Sequence, residues 1–457
     1  MSRIIAPVTL LLLVLLITNT RAAEPPGATF ANEWPQWRGP LGNGVAPHAD
    51  PPVRWNEGDE EESGDEANAQ NENIRWKIRL PGRGHSTPVI WKKHLFVTSA
   101  VPQGESLKPR YSGAPGAHDN LPVTQQHRFM LLAIDRRDGS VLWQQRLHER
   151  LPHEGGHFTG SLASHSAVTD GEHVIAMFGS AGLFCLDHAG NLVWKKDLGV
   201  MRSKHGHGEG SSPVLFEDTV VVNWDHEGQS YLLALEKRTG AQRWKVARDE
   251  VTSWSTPIII EQEGKVQVIV NGTQRVRAYD LASGEVIWEC GGLSANIVAS
   301  PVAGNGMVFV GSSYSTRNLL AIRLAGARGD ITHSDHVAWS RRQGTPYVPS
   351  PLLYGEGLYF LRHYQGVMTR VHTATGEEQP GAFRLGGIHD VYASPVGAAD
   401  RIYVTGRNGT TMVISNGEIP RLLAVNQLND SFSASAALVK DAMYLRGDRY
   451  LYCLGVD

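Results

Sequence analysis

Short apolar and β-branched runs separated by polar turns recur along most of the chain, and residues 213–246 show the pattern in full. The runs there are Pro213–Glu217, Thr219–Trp224, Tyr231–Glu236 and, after a turn at Gly240, Gln242–Val246. Runs of this length with tight turns between them predict four short strands. The segment is therefore expected to form one small antiparallel sheet.

The opening of this segment, Ser-x-Pro followed by an apolar residue, is repeated through the sequence. Copies lie at Pro88, Pro213, Pro257, Pro301, Pro351 and Pro395, with weaker copies at Ala167 and Ala436. From Pro213 the copies are 44, 44, 50, 44 and 41 residues apart, whereas the first interval is 79 residues and must contain an insertion. Units of this length with four strands are typical of propeller blades. The prediction is an all-β, eight-bladed β-propeller of four-stranded antiparallel blades.

A second signature lies inside the units: an acidic residue, then a glycine, then a tryptophan. The sets are Asp135/Gly139/Trp143, Asp187/Gly190/Trp194, Glu236/Gly240/Trp244 and Asp280/Gly284/Trp288. The glycine is expected to supply the positive φ of a tight turn. The tryptophan is expected to lie across the gap to the next blade, where a ring of this kind buries about 150–250 Å². These residues are therefore assigned a structural role.

The last unit has three apolar runs, Ala437–Val439, Ala442–Arg446 and Tyr450–Leu454, and lacks an outer strand. The segment Ile74-Arg75-Trp76-Lys77, just before the first unit, resembles that missing strand and carries its tryptophan. A ring left open would expose an unpaired sheet edge. We therefore predict that the N-terminal strand completes the eighth blade.

Residues 1–23 are typical of an export signal, with a positive Arg3, an apolar run from Ile4 to Ile17, and Thr20 and Ala22 as small residues for cleavage. The run is shorter than the roughly 20 residues of a transmembrane helix. Residues 24–73 are expected to form a lead-in with an acidic, disordered insertion at 56–73, and residues 74–457 the propeller. The expected location is periplasmic or extracellular, with no membrane span after cleavage.

Charge and cysteine content exclude two classes of site. The 43 Lys and Arg against 46 Asp and Glu give a net charge of −3, which does not supply the positive field that nucleic acids require. Cys185, Cys290 and Cys453 form no Cys-x-x-Cys pair, and two of them lie in apolar strand contexts. Buried free thiols are expected, with no disulfide and no zinc–thiolate site.

The Asp-x-x-x-Gly-x-x-x-Trp blades and the opening Trp34-Pro35-Gln36-Trp37-Arg38-Gly39-Pro40 resemble the pyrroloquinoline-quinone-like (PQQ-like) β-propeller repeat family, in particular its BamB-like exported bacterial members. The resemblance covers about residues 34–457 and implies a quinoprotein-type propeller. It also implies one of two activities. One is a non-catalytic scaffold of the cell envelope; the other is a PQQ- and calcium-dependent alcohol or sugar dehydrogenase with its cofactor in the central funnel.

The chain departs from both patterns. It lacks the neighbouring cysteines that typically form a disulfide over the quinone, and it lacks the lipoprotein cysteine of BamB. The missing cysteine pair and the modest length favour the scaffold. We therefore predict an exported, non-catalytic recognition protein that binds an envelope protein or polysaccharide, with the PQQ- and calcium-dependent oxidoreductase as the alternative.

Residues just before each inner strand, and loops between second and third strands, are expected to crowd one face around the propeller axis. The candidates there are His85, His165, Glu209, Asp225, His226, Trp254, Tyr347, His363, His389 and Asp390. Imidazoles, carboxylates and aromatic rings around one opening suit an anionic or carbohydrate ligand, or a metal if at least three of them converge. No residue is assigned a catalytic or metal-binding role.

Two further features have weaker implications. The sequence His153-Glu154-Gly155-Gly156-His157 matches the zinc-protease pattern, but Pro152 and the Gly-Gly pair place it in a loop instead of the helix that this chemistry needs. The insertion from Val101 to Gln126 and the loop Gly326–Val337 are long enough to shape a partner surface, as are the sheet edges.

Overall fold

A computed structural model describes residues 30–58, 71–312, 314–362, 365–380 and 383–456. These residues form eight sheets arranged as an eight-bladed propeller, which confirms the predicted fold. In each blade the first strand lies nearest the central channel and the following strands pair outward in chain order. The predicted export signal, residues 1–23, lies outside the described residues.

The strands are given by blade. Blade 1 contains Val89–Trp91, His94–Gln103, Gln126–Asp135 and Val141–Arg150; blade 2 contains Val168–Thr169, His173–Met177, Leu183–Asp187 and Leu192–Lys196. Blade 3 contains Val214–Phe216, Thr219–Trp224, Ser230–Glu236 and Gln242–Arg248; blade 4 contains Ile258–Gln262, Lys265–Asn271, Arg275–Asp280 and Val286–Gly291, with Gly329–Asp330 added.

The second half of the ring continues in the same way. Blade 5 contains Val302–Gly304, Met307–Ser312, Asn318–Arg323 and Val337–Arg341; blade 6 contains Leu352–Tyr354, Gly357–Leu361, Val367–His372 and Phe383–Arg384. Blade 7 contains Val396–Ala398, Arg401–Thr405, Thr410–Ser415 and Leu422–Gln427; blade 8 contains Ala437–Val439, Ala442–Arg446, Tyr450–Gly455 and the N-terminal Ile74–Arg79.

Blade 8 is completed as predicted. The strand Ile74–Arg79 pairs antiparallel with Tyr450–Gly455, so the first and last parts of the propeller share one sheet. Trp76 then reaches blade 1, where its indole N–H donates to the carbonyl oxygen of Arg136 at 3.1 Å. The ring is thus closed both by strand pairing and by a side chain that contacts the next blade.

The Ser-x-Pro repeat has a structural explanation in a ring of hydrogen bonds around the channel. The residue before each proline, or its equivalent, donates its backbone N–H to the side-chain hydroxyl of the corresponding residue in the next blade, as Ser300 does to Ser350 at 2.9 Å. Seven such bonds, with donor–acceptor distances of 2.8 to 3.0 Å, link these residues in turn, while the Thr87 hydroxyl accepts none: Thr87, Ser166, Ser212, Thr256, Ser300, Ser350, Ser394 and Ser435. Since these groups are buried, each bond satisfies an amide that would otherwise lack a partner.

The tryptophan and glycine signatures also belong to one contact. Trp194 of blade 2 donates its indole N–H to the carbonyl oxygen of Lys237 in blade 3, at 2.7 Å, and its ring covers Gly240. A Cβ on Gly240 would lie 2.7 Å from that ring, so the glycine is needed for the contact as well as for its φ of 69°. The same arrangement joins Trp143 to Gly190, Trp244 to Gly284 and Trp339 to Gly376.

Blade 4 departs from the four-stranded plan. Gly329–Asp330, from the loop Gly326–Val337, pairs parallel with the outer strand Val286–Gly291. This loop lies along the free edge of blade 4 and protects it from pairing with other chains. The indole N–H of Trp288 donates to Gln267 Oε1 in its own sheet at 3.2 Å, while its buried ring belongs to an apolar cluster that includes Val308 and Leu320 of blade 5.

The lead-in crosses the propeller from blade 1 to blade 7. Trp34 pairs with Ile90 in the inner strand of blade 1, and Val45 pairs with Gly397 in blade 7. Between these anchors Arg38 is buried and donates to the carbonyl oxygens of Pro351 and Pro395 at 2.8 and 3.0 Å. Burial lowers the pKa of Arg38 to about 9, so its guanidinium stays charged at neutral pH.

Two other expectations concern the lead-in and the thiols. Within the predicted acidic insertion, Glu57 is buried and forms an ion pair with Lys77 at 2.7 Å, while residues 59–70 lie outside the described part of the chain. The three cysteines are free and buried, as expected. The helices among the described residues are two 3₁₀ turns, Gly179–Ala181 and Lys204–Gly206, and no helix there is long and apolar enough to cross a membrane.

Candidate functional site

The candidate site is a cavity of about 520 Å³ at the end of the channel above the hydroxyl ring, here called the funnel. Ring residues Ser166, Ser212, Thr256, Ser394 and Ser435 form its polar base, and Trp37 of the lead-in reaches the same cavity. Its walls carry the aromatic side chains of Phe158, Trp254, Tyr314, Tyr347 and Tyr392. The funnel therefore combines apolar ring faces with hydroxyl groups, as ligand-binding clefts commonly do.

Five of the ten sequence-predicted residues line the funnel: His85, Glu209, Trp254, Tyr347 and Asp390. His165 lies behind the wall in a smaller cavity of about 60 Å³ that Glu209 also lines. His389 is exposed and is not part of the lining, and His363 lies outside the described residues.

The remaining two predicted residues, Asp225 and His226, belong to the interior of blade 3. Asp225 is buried against Arg248, with Nε–Oδ1 and Nη2–Oδ2 distances of 2.7 and 3.0 Å. His226 accepts a hydrogen bond from the backbone N–H of Arg202 and packs against Trp224. The loop between second and third strands lies farther from the axis than the inner strand, which is why both side chains stabilise the blade and do not face the funnel.

His85 connects the first and last blades at the funnel wall. Its Nε2 lies 3.1 Å from Asp448 Oδ1, and Asp448 also lies 3.5 Å from Arg83. Burial lowers the pKa of His85 more than the neighbouring carboxylate raises it. The imidazole of His85 is therefore neutral at neutral pH, and in this form it contacts Asp448.

Glu209 is the most perturbed carboxyl group of the funnel. Burial raises its pKa to about 7, although the backbone N–H of Ser180 donates to Oε2 at 2.7 Å and the Ser180 hydroxyl donates to Oε1. His153 Nε2 lies 3.6 Å from the same carboxyl. Both oxygens are thus engaged by the protein, and the group exchanges a proton near neutral pH.

His165 is a buried histidine whose imidazole is kept neutral by its surroundings. Neither ring nitrogen has a hydrogen-bond partner among the described residues, and burial lowers the pKa to about 4. The adjoining cavity of about 60 Å³ is large enough for water, which would satisfy such a ring. His165 is therefore a neutral residue of the wall.

The sequence reasoning missed the residues that an insertion brings to the mouth. The loop between Gln103 and Gln126 of blade 1 folds over the funnel and contributes His118 and Asp119 to its lining. His157, the second histidine of the His-Glu-x-x-His motif, also lines the funnel, while His153 turns away and contacts the carbonyl oxygen of Met201. The usable signal was the position of the insertion, because loops between second and third strands lie on the funnel face.

The lining was tested for the calcium-bound quinone that the PQQ-like resemblance implies. Calcium takes six to eight oxygen ligands, usually with several carboxylates. The carboxylates of the funnel are Asp119, Glu209 and Asp390, and both oxygens of Glu209 are engaged by Ser180. Among the described residues, three carboxylate or imidazole ligands converge at Asp170, Glu172 and His173, outside the funnel lining. The donor set of the funnel therefore does not fit calcium.

Known structures resemble the chain across most of its length. BamB from Moraxella catarrhalis has a TM-score of 0.51 and 14% identity, covering 79% of this chain and 98% of that one. A europium-containing methanol dehydrogenase has a TM-score of 0.55 and 10% identity, covering 93% and 98%. The designed protein Ika8 has a TM-score of 0.50 and 12% identity, covering 78% and 100%. At these identities the likeness establishes the fold alone.

Comparison at the level of sequence gives a family assignment. No curated protein sequence matches the chain. The family model described as outer membrane protein assembly factor BamB matches residues 127–379 and 228–454, which is more than half of the chain. With its eight closed blades and its Asp-Gly-Trp repeats, the chain therefore belongs to the BamB family of PQQ-like β-propellers.

Proposed function

We propose that this chain is an exported, non-catalytic recognition protein of the cell envelope that binds a protein segment or a polysaccharide in its funnel. The observation that carries this proposal is the aromatic wall. Tyr314 is 50% exposed and stacks on Tyr347, with ring centroids 6.0 Å apart and an interplanar angle of 22°. Exposed, stacked aromatic rings beside hydroxyl groups provide apolar contact area with little loss of side-chain entropy on binding.

The rest of the wall is held in place before any ligand arrives. Trp254 donates its indole N–H to the carbonyl oxygen of Gly208 at 2.7 Å. The guanidinium of Arg407 lies 5.9 Å from the ring centroid of Phe158 and 5.4 Å from that of Tyr392. Such fixed rings reduce the ordering cost of binding. Family membership and the signal-like residues 1–23 support the envelope location.

The oxidoreductase alternative is less well supported. The described lining lacks a carboxylate cluster for calcium, as set out above. The structural likeness to a methanol dehydrogenase, at 10% identity, extends to the fold and not to its chemistry. Recognition, in contrast, needs only the aromatic and hydroxyl groups that line the funnel.

The test is a binding screen of the mature chain, residues 24–457, against a glycan array and an array of extended peptides. The double variant Tyr314→Ala/Tyr347→Ala should weaken binding of any hit at least about tenfold, as expected for central aromatic contacts. The control is Leu422→Ala/Val425→Ala, which removes exposed side chains from the outer strand of blade 7. This control should leave binding unchanged.

The two arrays decide between a polysaccharide and a protein segment. A loss of affinity in the blade 7 variant with none in the tyrosine variant would move recognition to the sheet edge and contradict the funnel proposal. A chain that binds nothing on either array would contradict it as well.

A further inference from the structure

Four histidine side chains meet at the mouth of the funnel. His118 comes from the blade 1 insertion, His157 from the loop after blade 1, and His205 and His207 from the loop between blades 2 and 3. The ring centroid of His118 lies 4.7 Å from that of His207 and 5.1 Å from that of His205. His207 lies 4.8 Å from His157 and 5.4 Å from His205. His207 is thus in contact with all three other rings.

Two of these rings are oriented by backbone carbonyl groups. His118 Nδ1 lies 2.8 Å from the carbonyl oxygen of Gly116, and His205 Nδ1 lies 3.1 Å from that of Pro115. A carbonyl oxygen only accepts, so each Nδ1 carries the proton. In a neutral imidazole the lone pair is then on Nε2. An imidazole held by an outer hydrogen bond with a free Nε2 is the usual state of a histidine prepared to bind a metal.

The other two rings are held differently. His157 Nδ1 accepts from the backbone N–H of Thr159 at 3.3 Å and lies 2.7 Å from the Thr159 hydroxyl oxygen, so its neutral ring carries the proton on Nε2 and binds a metal there only as the other tautomer. His207 is hydrogen-bonded to the backbone of His118, and its Nε2 is buried with no hydrogen-bond partner among the described residues. Burial, followed by the three neighbouring imidazoles, lowers the pKa of His207 to about 4. At neutral pH this ring is uncharged and has an unused lone pair directed away from solvent.

The backbone and a nearby carboxylate add to this arrangement. His205 adopts a φ of 58°, in the left-handed region that non-glycine residues seldom occupy without a compensating interaction. Asn120, next to Asp119, donates its side-chain amide to the carbonyl oxygen of His205 at 2.7 Å, which fixes the insertion against this loop. Asp119 acts on His157 as a nearby negative charge.

We propose that His118, His157, His205 and His207 form a binding site for a divalent transition metal ion of the zinc or copper class. All-imidazole donor sets suit zinc, copper and nickel, whereas calcium and magnesium prefer oxygen ligands. The site lies at the funnel mouth but does not depend on the recognition function proposed above. Its consequence is structural: the ion would join the insertion to the loop between blades 2 and 3 and hold the mouth in one shape.

Coordination requires the Nε2 atoms of these rings to move closer together than they lie in this structure. Among the described residues the ligand atoms of these four rings do not converge within 4.8 Å; the group that meets this distance is Asp170, Glu172 and His173. That group is already compensated by cations, with Lys237 Nζ 2.6 Å from Asp170 and Arg238 Nη2 3.0 Å from Glu172. In the histidine cluster the charges that act on His157 include the carboxylate of Asp119 and the guanidinium of Arg407, and the main neighbours of His207 are the other three imidazoles.

The test uses the mature chain without a polyhistidine tag, freed of metal with a chelator and then titrated by calorimetry with ZnCl₂ and, separately, with CuCl₂. One ion should bind per chain, and CaCl₂ should not bind in its place. His118→Ala and His207→Ala should each weaken binding at least about tenfold, the size of effect expected for groups that hold a metal. The matched control is His333→Ala, at an exposed histidine outside the funnel lining, which should bind as the unaltered chain does.

A melting temperature and a spectrum of the copper-loaded protein separate loss of a metal ligand from loss of the fold. His118 is exposed on the insertion, so His118→Ala should keep the melting temperature of the metal-free chain. In the copper-loaded protein, electron paramagnetic resonance should show hyperfine coupling to at least three imidazole nitrogens, and to fewer in His118→Ala. Equal affinity in the His118, His207 and His333 variants, or no stoichiometric binding of either ion, would overturn the proposal. The Tyr314→Ala/Tyr347→Ala variant should bind metal normally, so this result is independent of ligand recognition.

Discussion

At the scale of single residues, burial decides what each polar side chain of the funnel region does. Glu209 and Asp225 both lie in polar loops, yet Asp225 is paired with Arg248 inside blade 3 whereas Glu209 lines the cavity with a pKa raised to about 7. Both residues carry a carboxyl group, and their different positions in the blade give that group different surroundings. Glu209 therefore couples stability to pH.

Replacing Glu209 with Gln should remove this pH dependence. The folded pKa of Glu209, about 7, lies above its ordinary value of 4.5, so its contribution is fully present below pH 4.5 and is lost as pH rises through 7. Relative to the unaltered chain, Glu209→Gln should gain up to about 3 kcal/mol of unfolding free energy between pH 4.5 and pH 8. Thermal unfolding across this range measures it. Glu105→Gln, at an exposed glutamate, is the control, and parallel curves for the two variants would contradict the expectation.

At the scale of the elements, blades 1, 2, 3, 5 and 8 are each fastened to the next blade by a tryptophan that lies over a glycine turn. The glycine at this turn therefore meets two requirements: it adopts a positive φ, and it leaves free the space that the tryptophan of the preceding blade occupies. Gly306 separates the two effects, because its φ of 72° matches the 69° of Gly240 but no heavy atom lies within 4 Å of where its Cβ would be.

Gly240→Ala should accordingly destabilise the protein more than Gly306→Ala. Both variants carry the cost of a left-handed alanine, about 1–2 kcal/mol. Gly240→Ala also forces the Trp194 ring from its place, which adds about 1–3 kcal/mol for an overpacked site. Chemical denaturation of both variants gives the difference. Equal losses would show that the ring does not pack against this turn in solution.

At the scale of the whole molecule, the hydroxyl ring links the inner strands of neighbouring blades around the channel. The link from Ser300 to Ser350 is buried and lies outside the funnel lining, so it reports on the ring without affecting the site. Thr256 accepts the equivalent bond from the backbone N–H of Ser212 at 3.0 Å, which shows that a threonine fits at such a position.

Ser350→Ala should lower the stability of the whole propeller, because the backbone N–H of Ser300 would be left buried without an acceptor. The expected loss is about 1–3 kcal/mol of unfolding free energy. Ser350→Thr retains the hydroxyl and should stay close to the unaltered chain. The measurement is the midpoint of denaturant unfolding, and a threonine variant as unstable as the alanine variant would point to packing in place of the hydrogen bond.

The sequence by itself determined the number of blades, the strands of blades 3 and 8 and the closing strand that starts at Ile74, because these follow from patterns repeated in short stretches of the chain. It also located half of the predicted funnel residues, since topology puts the residue before each inner strand near the axis. Only the tertiary structure decided that Arg38 binds the carbonyl oxygens of Pro351 and Pro395, and that His118, His157, His205 and His207 meet at the mouth of the funnel. These contacts join residues far apart in the chain through irregular loops, whose paths no periodic pattern specifies.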